Sequence, residues 1–149
     1  MKPLLLAMWK PQWRTVLFLA VLLTVVSCST PGPAETYPKA ITAADEAYAI
    51  QTLRTIGSAQ TQSKAIRGSY ADFAGLTQAC LLDARFNSPT PTLRGYQFTI
   101  NATDSDFSVN ADPLSQSSTA ATRHLYLDSS DQSIRVNKDQ PATHNDPPL

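Results

Sequence analysis

Two cysteines and two histidines are the side chains of this sequence best suited to carry chemistry. A thiol beside an imidazole makes a nucleophile–base pair, so Cys80 with His124 is the candidate for covalent catalysis. The two residues lie far apart in the chain, and His144 falls in a separate segment, so no pair has the spacing of zinc ligands. Glycine-rich phosphate loops and nucleophile elbows are also missing from the sequence. We therefore predict a protein that is not an enzyme and that has no cofactor and no metal site.

An acidic turn offers the other possible ligand set. Asp128 and Asp131 flank two serines, and their oxygens suit a calcium ion. Aspartate and serine are also the residues that turns between strands prefer, and no glutamate follows to complete the coordination. We favour the turn interpretation and keep calcium as the alternative.

The apolar neighbours of Cys80, from Leu76 to Leu82, predict a small buried side chain. The alternative is an intermolecular disulfide, which an oxidising compartment would favour.

Cys28 ends the most informative segment of the chain. An apolar run over 16–26 follows Lys2, Lys10 and Arg14, and no acidic residue precedes it. This charge and apolar pattern is typical of an export signal. The run is shorter than the roughly 20 residues that cross a bilayer core, which disfavours a membrane-spanning helix.

The four residues 25–28 (VVSC) resemble a bacterial lipobox. In that family the cysteine thiol is diacylated, the chain is cut before the cysteine, and the new amino terminus is usually acylated. The resemblance implies a signal peptide over 1–27 and lipidation of Cys28. Since each buried methylene contributes ~0.8 kcal/mol, two or three chains anchor a protein durably. Ser29, where retained lipoproteins tend to have Asp, implies the periplasmic face of the outer membrane; the inner membrane and the surface of a single-membrane cell stay open.

The composition limits the partners of the processed chain. The sequence has 12 basic and 12 acidic residues, and Lys2, Lys10 and Arg14 would leave with the signal. What remains is mildly acidic and has no basic cluster, so it is unsuited to the phosphates of nucleic acid. The membrane is the partner that the sequence predicts.

Proline content divides the remainder into three parts. Residues 28–40 contain Pro31, Pro33 and Pro38 and predict a flexible tether. Residues 138–149 contain three more prolines without apolar periodicity and predict a disordered tail. A single domain is expected between them, over 41–137.

The domain begins with a helical pattern. Thr42 is a candidate N-cap, Gly68 a stop, and an apolar stripe recurs at helical spacing through Ala47, Ile50, Leu53 and Ile56. Arg54 falls on the opposite, solvent side. Because the stripe is narrow and rich in alanine, the helix must lie close to a sheet.

In the last third of the domain, the spacing of the apolar residues changes from the 3.6-residue period of a helix to the two-residue period of a strand. Apolar residues alternate with polar ones in four short segments, which predict two hairpins with polar turns; their apolar residues are Tyr96, Phe98, Ile100, Phe107, Val109, Ala111, Leu125, Leu127, Ile134 and Val136. The predicted fold is α+β, with a long N-terminal helix packed on an antiparallel sheet of about four strands.

This order of elements resembles type IV pilin-like and pseudopilin-like proteins. The resemblance is carried by short motifs in a common order: 46–60 (EAYAIQTLRTIGSAQ), 68–73 (GSYADF), 95–100 (GYQFTI), 107–113 (FSVNADP), 123–128 (RHLYLD) and 134–135 (IR). It covers about residues 43–137. It implies a domain used for assembly and binding rather than catalysis.

The sequence departs from that family at its start. Pilins have a cleaved Gly before an apolar segment that extends the helix into the membrane, whereas 29–39 is polar and proline-rich. A lipid on Cys28 would replace that membrane half. We therefore expect a non-enzymatic, lipid-anchored periplasmic accessory of a type IV pilus or a type II secretion system. The alternative is a periplasmic lipoprotein that binds a small ligand or is an enzyme.

Overall fold

A computed structural model describes residues 33–114 and 123–149 of the chain. The elements are helix α1 (Pro33–Arg67), helix α2 (Phe73–Gln78), a 3-10 helix (Ala84–Phe86) and five strands: β1 (Thr92–Leu93), β2 (Tyr96–Ala102), β3 (Phe107–Pro113), β4 (His124–Asp128) and β5 (Arg135–Asn137). The predicted signal peptide, Cys28 and the first part of the predicted tether lie outside these residues.

The five strands form one antiparallel sheet in the order β1-β2-β3-β4-β5. The α+β class and the order of helix before sheet are confirmed, and the strand number is five where about four were predicted. The additional strand, β1, has two residues. Its turn contains Arg94 (φ 46°) and Gly95 (φ 77°), and two positive φ angles are what a two-residue hairpin of type I′ requires.

Helix α1 starts earlier than the sequence predicts. Its backbone is helical from Pro33, so Thr42 lies inside the helix rather than at its N-cap. Proline suits the first turn of a helix, where its missing N–H has no partner to lose, and Pro33 stands there. The predicted stop is confirmed, because Gly68 (φ 79°) follows Arg67 directly.

The helix packs its buried stripe on one face of the sheet. Leu53 and Ile56 are fully buried, and they share a core with Phe98, Phe107 and Leu125 as predicted. The stripe is rotated relative to the prediction, since Ala49 is buried and Ala47 is exposed. An ideal Cβ on Gly57 would lie 3.0 Å from Leu127 Cδ2, which shows how closely the helix approaches β4.

Two polar side chains of α1 are fully buried and hold the connection that follows the helix. The amide of Gln60 donates to the carbonyl oxygen of Ala71 (2.6 Å) and accepts from the Ala71 N–H (3.0 Å). The Ser63 hydroxyl donates to the carbonyl oxygen of Ser69 (3.1 Å). Asp72 then caps α2 by accepting from the Gly75 N–H at 2.8 Å.

The segment 138–149 differs from the disordered tail that the sequence predicts. It crosses the sheet face opposite α1 and pairs with β5, and Ala142 within it is 1% exposed. Hydrogen bonds to polar strand residues hold the segment in place. Bonds of that kind leave no apolar periodicity in the sequence.

Candidate functional site

The polar face of the sheet is the side opposite α1, and it carries most of the side chains that could do chemistry. Along β3 and β4 the outward residues are Ser108, Asn110, Asp112, His124, Tyr126 and Asp128, and the cross-strand pairing sets them side by side. This follows from the two-residue period of a strand, which sends alternate side chains to opposite faces. We call this set the polar face.

Two aspartate–histidine pairs lie on the polar face. His124 Nδ1 is 2.5 Å from Asp112 Oδ1, and both side chains are partly buried. His144 Nδ1 is 2.8 Å from Asp128 Oδ2. The structure thus gives each histidine its own carboxylate, and His144 reaches its partner because 138–149 folds back over the sheet.

The carboxylate of Asp128 is held by several hydrogen bonds on the polar face. Its Oδ1 accepts from the Ser130 hydroxyl (2.6 Å) and the Ser130 N–H (3.0 Å), while Oδ2 faces His144. Burial on its own would raise the pKa of Asp128, but the hydrogen bonds from Ser130, His144 and Tyr126 outweigh it and hold this pKa at about 2. Burial, and then the negative charge of Asp128, raise the pKa of Tyr126.

Because the pKa of Asp128 is lowered in the folded state, the free energy of unfolding should depend on pH. Because the folded-state pKa of Asp128 lies below its unfolded value, ionised Asp128 stabilises the fold above the unfolded pKa, and the contribution is lost as the pH falls from about 4 to about 2. Asp128→Asn should lower the free energy of unfolding by about 2 kcal/mol at pH 7 and by much less at pH 2. Urea titrations at both pH values measure the difference.

The exposed Asp104 provides the matched control. Asp104→Asn should change the free energy of unfolding by less than about 0.5 kcal/mol at either pH. An equal effect of the two substitutions, or an Asp128→Asn effect independent of pH, would contradict the assigned role of Asp128.

The turn between β4 and β5 uses its acidic oxygens internally. Asp131 Oδ1 accepts from the Ser133 N–H (2.9 Å), and Asp131 Oδ2 lies 2.7 Å from Arg135 Nη2. Together with the Asp128–Ser130 bonds, these contacts form successive Asx turns, as the turn interpretation predicts. In the described part of the chain, no three His, Cys, Asp or Glu residues are grouped so as to hold a metal ion.

A groove of about 680 Å³ lies at the end of the β2–β3 hairpin. Asp72, Asp106, Asp128, Tyr126 and Ser130 are among its lining residues, whereas His124 and Cys80 are not. The groove therefore does not join the thiol and imidazole of the catalytic candidate.

Cys80 is exposed, so the predicted burial of its side chain is wrong. The residue has a φ of 57° in the turn after α2, between Leu76 and Leu82, which are both buried in the core. The intermolecular disulfide remains a prediction.

Ion pairs that the sequence does not reveal tie residues 45–48 of α1 to the sheet. Glu46 is paired with Arg123 just before β4, and the hydrogen bond that Arg123 donates to Glu46 raises the pKa of that guanidinium. Arg94 lies 3.7 Å from Asp45 and its guanidinium stands over the Tyr48 ring. These contacts join residues that are far apart in the sequence, so they carry no local sequence signal.

Comparison with known proteins gives no matching family model, no matching curated protein and no matching solved structure. In 33–114 and 123–149, no helix combines the length and apolarity needed to cross a membrane.

Proposed function

We propose that this chain is a lipid-anchored, non-enzymatic protein of a bacterial envelope, and that its helix-on-sheet domain serves assembly or binding. The observation that carries the proposal is the combination of a lipobox-like 25–28 with a long helix followed by an antiparallel meander. Acyl chains on Cys28 would attach the protein to the membrane, and the periplasmic face of the outer membrane is the proposed location. A pilin-like accessory role in a type IV pilus or a type II secretion system is the proposed use.

The chemistry of the polar face supports an assembly role over catalysis. His124, His144 and Asp128 are each engaged with a neighbouring side chain of the same face or its covering segment. Catalytic groups converge on a position that a substrate can occupy, whereas these contacts join strands to each other. We infer that the polar network stabilises the domain.

A second candidate function is a periplasmic carrier of a small ligand or an enzyme, and the groove of about 680 Å³ is the observation that favours it. The genes that neighbour this one separate the two candidates at low cost. Pilus or secretion genes would support the accessory role, and metabolic genes would support the carrier or enzyme.

The anchoring is tested by replacing Cys28. Cys28→Ala removes the thiol that would be acylated, so the protein should move from the membrane fraction to the soluble fraction. A companion chain, in which an ordinary cleavable secretory signal replaces residues 1–28, should also be soluble. Cell fractionation with immunoblotting measures both.

The exposed Cys80 supplies the matched control. Cys80→Ala should leave the protein in the membrane fraction, because its thiol is not part of the lipobox-like motif. Full membrane retention of both the Cys28→Ala chain and the companion chain would rule out the lipid anchor.

A further inference from the structure

The segment 138–149, which we call the strap, covers the open edge of β5. The Val136 N–H donates to the carbonyl oxygen of Pro147 (3.0 Å), and the Leu149 N–H donates to the carbonyl oxygen of Ile134 (2.8 Å). Between these bonds Arg135 and Pro148 form an antiparallel bridge. The Val136 N–H and the Ile134 carbonyl, two outward-facing backbone groups at this edge, are therefore occupied by the strap.

Three further contacts hold the strap along its length. Asn110 Nδ2 donates to the carbonyl oxygen of Ala142 (2.9 Å), and His144 faces Asp128. Asn137 Nδ2 donates to Asp146 Oδ1 (2.8 Å). These contacts come from β3, β4 and β5, so the strap is fixed across three strands rather than at one point.

Pro148 makes the strap a terminus of the sheet at this position. The bonds of Pro147 and Leu149 point toward β5, so the backbone nitrogen of Pro148 points away from it. Any other residue would present an N–H there to a further strand, and proline has none. The strap consequently closes the edge of β5 without creating a new edge that can donate at this position.

The opposite edge of the sheet, at β1, is also protected from pairing with a further strand. β1 is two residues long and follows Pro89 and Pro91. Short edge strands and prolines are the usual means by which proteins prevent sheets from joining edge to edge. The strap gives β5, the other edge, the protection that its own sequence lacks.

We propose that the strap is an edge guard that prevents two copies of this chain from pairing through β5. A second copy is the partner that the freed edge fits, because the Val136 N–H of one copy and the Ile134 carbonyl of the other complement each other about a two-fold axis. Arg135, which would face its own counterpart across that axis, is already paired with Asp131 at 2.7 Å. This inference does not depend on the proposed function.

The test releases the strap from the folded full chain. A protease site at the exposed Asp139–Gln140 pair is cut after purification, and the mass is measured by sedimentation velocity over a range of concentrations. The uncut chain should remain a single chain. The cut chain should shift toward twice that mass as concentration rises, and excess peptide 141–149 should return it to one chain. The proposal would be overturned if the cut chain releases the strap, keeps the circular dichroism spectrum of the folded domain, and remains a monomer at every concentration.

A full-length variant decides the question if cutting unfolds the domain or leaves the strap bound. Pro148→Val restores an outward N–H on the strap, so the intact chain should begin to self-associate with concentration. Pro141→Val is the control, because the exposed Pro141 lies outside the pairing with β5. The proposal is wrong if the Pro148→Val chain is as monomeric as the Pro141→Val chain.

Discussion

Replacing Leu53 with Ala is expected to lower the free energy of unfolding by about 2–5 kcal/mol. Leu53 is 0% exposed and belongs to the core in which α1 meets the sheet. The loss combines the transfer free energy of the deleted carbons with the cavity that remains, and the close approach of helix and sheet leaves little freedom to collapse around it. Since a small domain has about 5–15 kcal/mol in total, the loss is a large share of its stability, and this variant should melt at a clearly lower temperature than the parent.

Arg54 is the matched control, because it neighbours Leu53 on the same helix but is exposed. Arg54→Ala should change the free energy of unfolding by no more than about 0.5 kcal/mol. Thermal melts of the two variants and the parent, without the residues ahead of Cys28, measure the difference. Equal destabilisation by the two substitutions would show that the helix face is assigned incorrectly.

Gln60→Ala is the second substitution with a large expected effect, about 2–4 kcal/mol of lost stability. The Gln60 amide is the partner of both the N–H and the carbonyl of Ala71, and its side chain is completely buried. Truncation removes both hydrogen bonds, leaves two backbone groups without this partner, and opens a cavity. Gln60→Glu should also destabilise the fold at pH 7, because a carboxylate cannot donate to the Ala71 carbonyl.

Gln62 allows a control with the same residue type on the same helix, since it is exposed. Gln62→Ala should be close to neutral in urea unfolding. Amide hydrogen exchange adds a local readout: the Ala71 N–H should exchange faster in the Gln60→Ala variant and unchanged in the Gln62→Ala variant. Slow exchange at Ala71 in both variants would contradict the role given to Gln60.

The sequence predicts the elements whose signal is periodic. The 3.6-residue recurrence through Leu53 and Ile56 and the alternation through Phe98 and Val109 depend on which side chains are buried, and burial repeats with the geometry of the element. These patterns predict the helix, the β2–β3 hairpin and the α+β class correctly. β1 is missed because two residues are too few to show an alternation.

Features that depend on hydrogen bonds between distant residues were not predictable in this way. The strap has no apolar stripe, and its contacts through Asn110 and Asp128 join residues that the sequence does not relate. The start of α1 at Pro33 is missed for a different reason, because proline is compatible both with a loop and with the first turn of a helix. Cys80 is exposed in a turn where its own φ is 57°, and a local apolar composition cannot reveal a single φ angle.

The candidate site was predicted only in its parts. The sequence points to His124, His144 and the 128–131 turn, but it does not indicate that His144 pairs with Asp128 or His124 with Asp112. Those pairs exist because β3 and β4 are in a particular register and because the strap folds back. Cys28, the predicted lipidation site, lies outside the described residues and depends on its sequence motif alone.

The most direct test of the proposed anchoring is the mass of the first peptide of the protein isolated from membranes. Our account predicts that this peptide begins at Cys28 and carries a diacylglyceryl group on its thiol, with a further acyl chain on its amino group in most molecules. Mild base should remove the ester-linked chains and leave the expected smaller mass. A first peptide that begins elsewhere, or an unmodified Cys28 in membrane-derived protein, would contradict the account.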